Sequence, residues 1–160
     1  MNGGWLRTVT IGAAVGAGVL GGVYVAFSTF VMPALRRLPA DRAVVAMQAM
    51  NRAAPAPWAI VGLLGAGGAC AALAVEALTD LDDVAARWRL AGSGLYLSSI
   101  AITFAFHIPR NEALDRVDPA GAGVERAWAD FAGSWSSGNH VRALVSVGAA
   151  ALLTYAATLS

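Results

Sequence analysis

Two short polar clusters, His107-Ile-Pro-Arg-Asn-Glu-Ala-Leu-Asp115 and Ser137-Gly-Asn-His-Val-Arg142, abut long apolar runs of this 160-residue chain. Imidazole is the side chain that changes charge near neutrality, and guanidinium is a fixed cation with directed donors. The pair therefore has the types needed to move a proton and to hold an anion. Set against hydrocarbon, such side chains are costly, and they mark functional positions.

Placed on helical wheels, the polar residues align. Tyr96, Ser99, Thr103 and His107 fall at i, i+3, i+7 and i+11, one narrow stripe, and Asn139, Arg142 and Ser146 form another at i, i+3 and i+7. Tyr24 and Ser28 lie one turn apart. Antiparallel neighbours would bring these stripes together and line a polar cavity at one membrane face. Plainer readings coexist: Ser99, Thr103 and Ser146 can bond back to their own helix carbonyls or to a neighbouring helix, and Asn139 can cap a helix. Arg142 can snorkel to headgroups, His107 can be an interfacial histidine, and Asn111 can be a turn residue after Pro109.

The elements that must position these groups follow from hydropathy. With 58% hydrophobic and 13% charged residues, the chain is too apolar for an ordinary soluble domain. A membrane-crossing helix needs roughly 20 mostly apolar residues, and residues 8–32, 58–78, 90–107 and 141–159 provide four such runs. Barrel-like alternation is absent, so the expected fold is all-α, one membrane-embedded four-helix bundle over residues 1–160. The first run exceeds a secretory leader's core of roughly 7 to 15 residues and is expected to be retained. Cys70 is the single cysteine, so no disulfide can form within the chain.

The connections add two amphipathic helices. Asp41 to Ala53 carries Val44, Met47 and Met50 at helical spacing, and Gly121 to Trp135 carries Val124, Trp128, Phe131 and Trp135 on one face. Glycines 121, 123, 133 and 138 would leave the later segment freedom to move. Glycine and alanine at Gly12/Gly16, Gly18/Gly22 and Gly68/Ala72 suit tight helix contacts, within one chain or in a homo-oligomer. All eleven basic residues are arginine. Eight lie in or beside the first and third connections, whereas Arg7, Arg87 and Arg89 lie on the other side. The positive-inside rule then predicts an inner, plasma-membrane protein with termini outside and the polar site facing the cytoplasm.

Other chemistries find little support. His107 and His140 with Glu112 or Asp115 are conceivable metal donors, but no HExxH or paired-cysteine spacing accompanies them, so no metal is expected. No GxSxG or phosphate-cradling loop occurs. The arginines flank spans and do not form a soluble basic face, so nucleic acid is not an expected partner.

Phe27-Ser-Thr-Phe-Val-Met-Pro33-Ala-Leu-Arg-Arg-Leu-Pro39, Met47-Gln48-Ala-Met-Asn51-Arg52, and the clusters at 107–115 and 135–142 together resemble the anthrone oxygenase-like (DUF1772) small integral membrane proteins. The resemblance spans most of the chain in order. It implies a four-helix membrane bundle and, as in some members, oxidation of polyketide anthrones to anthraquinones by dioxygen with no cofactor. On that reading His107 is the preferred base, Arg142 stabilises the oxyanion, and Asn139 and Asn111 orient ring oxygens. His140 is the second candidate base, although a regular helix would point it about 200° away from Arg142. Tyr24, Ser28, Tyr96, Ser99, Thr103, Trp135 and Ser146 would line the site for a small hydrophobic aromatic ligand. The alternative is a non-catalytic membrane protein that binds or passes such a ligand, or scaffolds a partner enzyme.

Overall fold

In the computed structural model, residues 3–159 are described, the side chain of Trp58 excepted. The elements run α1 (Gly3–Ala26), a π-helical segment (Phe27–Val31), α2 (Met32–Leu35), α3 (Ala40–Ala53), α4 (Pro57–Ala77) and α5 (Val84–Ile102). A second π-helical segment (Thr103–His107), α6 (Ile108–Asp115) and α7 (Val124–Leu159) complete the chain. Four helical stretches are long and apolar enough to cross a membrane, Gly4–Leu35, Ala59–Ala77, Val84–Asp115 and Val124–Leu159. The protein is an all-α, multi-pass membrane bundle.

The four long helices close a ring in which α1 and α5 each pack on both α4 and α7. Lipid is as apolar as leucine, so close packing has to hold such helices together, and small residues permit it. A methyl on Gly16 would press on Ala66 of α4, and one on Gly92 would press on Leu153 of α7. Gly12, Gly22 and Gly68 of the expected small-residue pairs instead face open space. The outer surface is apolar, with Val15, Val19, Val61 and Leu144 exposed, as a lipid-facing surface requires.

A second core sits at the end of the bundle that carries α2, α3 and α6. Met32, Leu35, Val44, Met47, Leu114, Trp128, Phe131 and Trp135 pack there. The amphipathic face of α3 is thus buried against the polar end of the bundle as a cap. Gln48 ties it down by donating from Nε2 to the carbonyls of Leu114 (3.0 Å) and Val117 (2.9 Å), at and just beyond the C-terminal end of α6. Asn51 Nδ2 donates to Asp115 Oδ1 at 3.1 Å. Arg36 reaches Ala132 O at 2.7 Å and Ser136 Oγ at 3.0 Å.

The aromatic segment before the last span is helical, as its spacing predicts, but it is continuous with that span. One rod of 36 residues, α7, carries Trp128 to Ser146 on a single face. Gly133 and Gly138 therefore act inside a helix and not as hinges.

Both π-helical segments end two residues before a proline. Pro33 and Pro109 have no N–H for the carbonyl four residues back, and their rings crowd it, so a regular α-turn cannot pass. The chain widens by one residue instead, and the N–H of Met32 reaches Phe27 O while that of Ile108 reaches Thr103 O. Such one-residue bulges rotate the side chains beyond them relative to a straight helix.

At the opposite end, Asp83 caps α5, accepting from the N–H groups of Ala85 and Ala86 at 3.0 and 3.1 Å. Buried Arg89 joins it, with Nε 3.2 Å from Glu76 Oε2 and Nη2 3.2 Å from Asp83 Oδ2. Loss of water opposes ionisation of Asp83, but the two N–H donors and the guanidinium outweigh it and hold the carboxyl below the usual carboxylate range.

Candidate functional site

The site lies where the two π-helical segments meet the middle of α7. Being continuous, α7 presents Trp135, Asn139, Arg142 and Ser146 as one buried face. Opposite it, α1 supplies Tyr24, its bulge supplies Ser28, and the second bulge supplies Thr103 and His107. His107 is 1% exposed and Arg142 7% exposed.

Asn139 is the hub. Its Nδ2 donates to Tyr24 O and Ser28 Oγ, both at 2.8 Å, which aims Oδ1 at Arg142 Nη2, 2.7 Å away. Fifteen residues inside α7, Asn139 caps nothing; it is a mid-helix side chain that fixes a guanidinium. Arg142 Nη1 donates to Thr103 Oγ1 at 3.3 Å, and that hydroxyl in turn donates to Ser99 O at 2.9 Å. The guanidinium carbon lies 3.9 Å over the Tyr24 ring and 5.8 Å from the Trp135 ring, so aromatic faces solvate the cation. Arg142 does not snorkel.

His107 faces the same interior. Its ring meets Trp135 edge to face at 5.0 Å, and the Trp135 Nε1 donates to Asn111 Oδ1 at 2.8 Å. Neither nitrogen of the His107 ring makes a hydrogen bond, and Arg142 Nε makes none. The Gly138 carbonyl lies beside the imidazole without hydrogen-bond alignment. Buried polar groups are nearly always satisfied, so three unsatisfied nitrogens on two buried side chains that both lie against Trp135 leave acid–base and donor capacity for something else.

The residues expected from sequence thus divide. Tyr24, Ser28, Thr103, His107, Asn111, Trp135, Asn139 and Arg142 gather. Ser99 and Ser146 satisfy each other at 2.7 Å deeper in the bundle, and the Tyr96 hydroxyl turns to Leu63 O of α4 at 3.4 Å. His140 is exposed on the outer face of α7, two residues from Arg142 on a regular helix, and stands apart from the cluster. The donor set His107, His140, Glu112 and Asp115 is not assembled, and no group of three or more His, Cys, Asp or Glu occurs among the described residues.

The chain matches the family model described as anthrone oxygenase over residues 56–152. It belongs to the anthrone oxygenase family. No curated protein and no solved structure matches it. The matched stretch carries Thr103, His107, Asn111, Trp135, Asn139 and Arg142, whereas Tyr24 of α1 and Ser28 of the first π-helical segment lie outside it.

Sequence reasoning passed over several contributors. Phe27 flanks Trp135 at 5.5 Å, and Phe106 flanks His107 at 5.3 Å. Gln48 and Asn51 hold the cap. The available signal was an aromatic residue near each span-ending proline, which reads as interfacial until the bulges turn it inward.

Proposed function

We propose that this protein is a cofactor-free oxygenase of the anthrone-to-anthraquinone type, embedded in the inner membrane with termini outside and the site toward the cytoplasm. The observation that carries this is the juxtaposition of an unpartnered buried imidazole with a buried guanidinium that has no acidic neighbour, inside an aromatic enclosure. Support for the orientation comes from the arginine asymmetry of the connections.

An anthrone has an acidic methylene flanked by two aromatic rings. His107 accepts one methylene proton, and Arg142 holds the resulting enolate oxygen, its direction fixed by Asn139. The carbanion delivers two electrons to dioxygen and forms a carbon–oxygen bond, giving a peroxide that takes a proton from His107. Loss of the remaining proton from that carbon, with cleavage of the oxygen–oxygen bond, leaves the new carbonyl and water. Anthrone plus dioxygen becomes anthraquinone plus water, and His107 ends as it began. Trp135 and Tyr24 provide flat apolar walls, and Asn111 an acceptor for a ring hydroxyl.

The test is oxygen uptake by purified protein in detergent with emodin anthrone. Uptake faster than buffer, lost in His107→Ala and in Arg142→Met while both stay folded, supports the proposal. Tight binding without accelerated uptake transfers the same site to the ligand-carrying alternative.

A further inference from the structure

Outside the enclosure, α6 and α7 leave a groove of about 270 Å³. Its floor is Leu114, Val117 and Phe131, with Ser134 at one end and Arg110 and Asp130 on the rim. Ser134 precedes Gly138 by one turn of α7, and Gly138 meets the Phe106 ring. That ring lies so close to Gly138 that a β-carbon on residue 138 would overlap it. Arg110 covers the ring, its guanidinium carbon 3.4 Å from the centroid and Nη1 donating to Phe106 O at 3.0 Å. Immediately behind is His107, ring to ring at 5.3 Å, with both nitrogens free.

We infer that the α6–α7 groove is the entrance by which a flat apolar ligand reaches His107, and that Phe106, pressed on Gly138 beneath Arg110, is its gate. The inference rests on the reading of His107 and Arg142 as a ligand site, though not on oxygen chemistry. Three features fit a gate better than a wall. Glycine at 138 leaves room for the ring and for its departure. The arginine on the groove's rim is the one stacked on Phe106, and Phe106 is the ring that packs on the imidazole. The groove has an apolar floor matched to a flat hydrocarbon and a cation at its rim matched to the electron-rich face of an aromatic ring.

Cys70 is a buried single cysteine, which makes a chemical test direct. In a Cys70→Ala background, His107→Cys puts a thiol behind the gate, and its modification rate by N-phenylmaleimide in detergent is measured. Adding Phe106→Ala should raise the rate at least about tenfold, since the rate follows the open fraction of the gate. Arg110→Met should raise it less, Ser134→Trp should lower it, and Trp88→Ala, which removes a ring packed on Tyr155 at the opposite end of the bundle, should leave it unchanged. An equal gain from Trp88→Ala, or none from Phe106→Ala, overturns the inference. General loosening is monitored in the chain that keeps Cys70 and His107, where Phe106→Ala must leave Cys70 unreactive; if it does not, Arg110→Met and Ser134→Trp decide the question. No anthrone is involved, so failure of the oxygenase reading would leave this result standing, and the converse holds.

Discussion

Two arginines are buried at opposite ends of this bundle, and they are treated differently. Arg89 meets the carboxylates of Glu76 and Asp83 and fastens the α4–α5 connection. Arg142 is held by an amide oxygen, a hydroxyl and two aromatic rings, none of them charged. A fold that needs a buried cation for architecture neutralises it, because the desolvation cost is otherwise uncompensated. A cation left without a counter-charge beside an unpartnered imidazole is a place where the missing charge comes from a ligand or from a transition state.

The sharpest way to break this contrast is to remove both cations in turn. Arg142→Met should lower anthrone-dependent oxygen uptake by about 10²- to 10³-fold, the usual effect of deleting an oxyanion donor. Its unfolding midpoint, read from heat-induced exposure of Cys70 to a thiol-reactive dye, should stay level or rise. A fall in stability with no fall in uptake would make Arg142 architectural after all. His107→Ala should cost about 10²- to 10⁴-fold, the range for a general base.

Arg89→Met should do the reverse. Glu76 and Asp83 are partly exposed, so the loss should reach only about 1–2 kcal/mol, below the full penalty of breaking a buried pair, with oxygen uptake per folded molecule unchanged. Dye exposure of Cys70 measures the first quantity, and uptake normalised to folded protein measures the second. If uptake falls instead, the two ends are coupled and the contrast fails.

The contrast was only half legible in the sequence. Hydropathy located the spans, and helical spacing placed Asn139 with Arg142 and turned His140 outward. The same spacing gathered Tyr96, Ser99 and Ser146 onto the stripe but could not say that their hydroxyls were already spent. Arg89 read as a topology charge, because its partners lie 6 and 13 residues away across a turn. The rod from Val124 to Leu159 was obscured by Gly133 and Gly138, which in isolation look like breaks. Gly138 is there for the close approach of Phe106, a tertiary demand that no local propensity registers. Pro33 and Pro109 read only as the ends of spans, and the bulges before them are what set Ser28, Thr103 and His107 facing α7.

Smaller effects separate the ends further. Asp83 has a depressed folded pKa, so its contribution is fully present above the unfolded value of about 3.9 and is lost as pH falls through the folded one. Wild type should therefore be more stable than Asp83→Asn at neutral pH, and the gap should close in acid. A gap that does not change between neutral pH and pH 2 would show that the cap works through its hydrogen bonds alone. Oxygen uptake per folded molecule, by contrast, should show no comparable dependence on position 83.

The smallest expected effect tests where the functional cluster ends. Ser99 and Ser146 share one hydrogen bond, at 2.7 Å, a turn beyond Thr103 and Arg142. In a membrane the unfolded helices find other partners for their hydroxyls, so such a bond is worth little, about 0.6 kcal/mol on average. A double-mutant cycle with Ser99→Ala and Ser146→Ala should return a coupling of that size in the thermal midpoint. A coupling several times larger would mean that the pair is part of the same hydrogen-bonded network as Arg142. A coupling near the average places the boundary at Thr103, with hydroxyls that serve helix contact on one side and groups kept free for a ligand on the other.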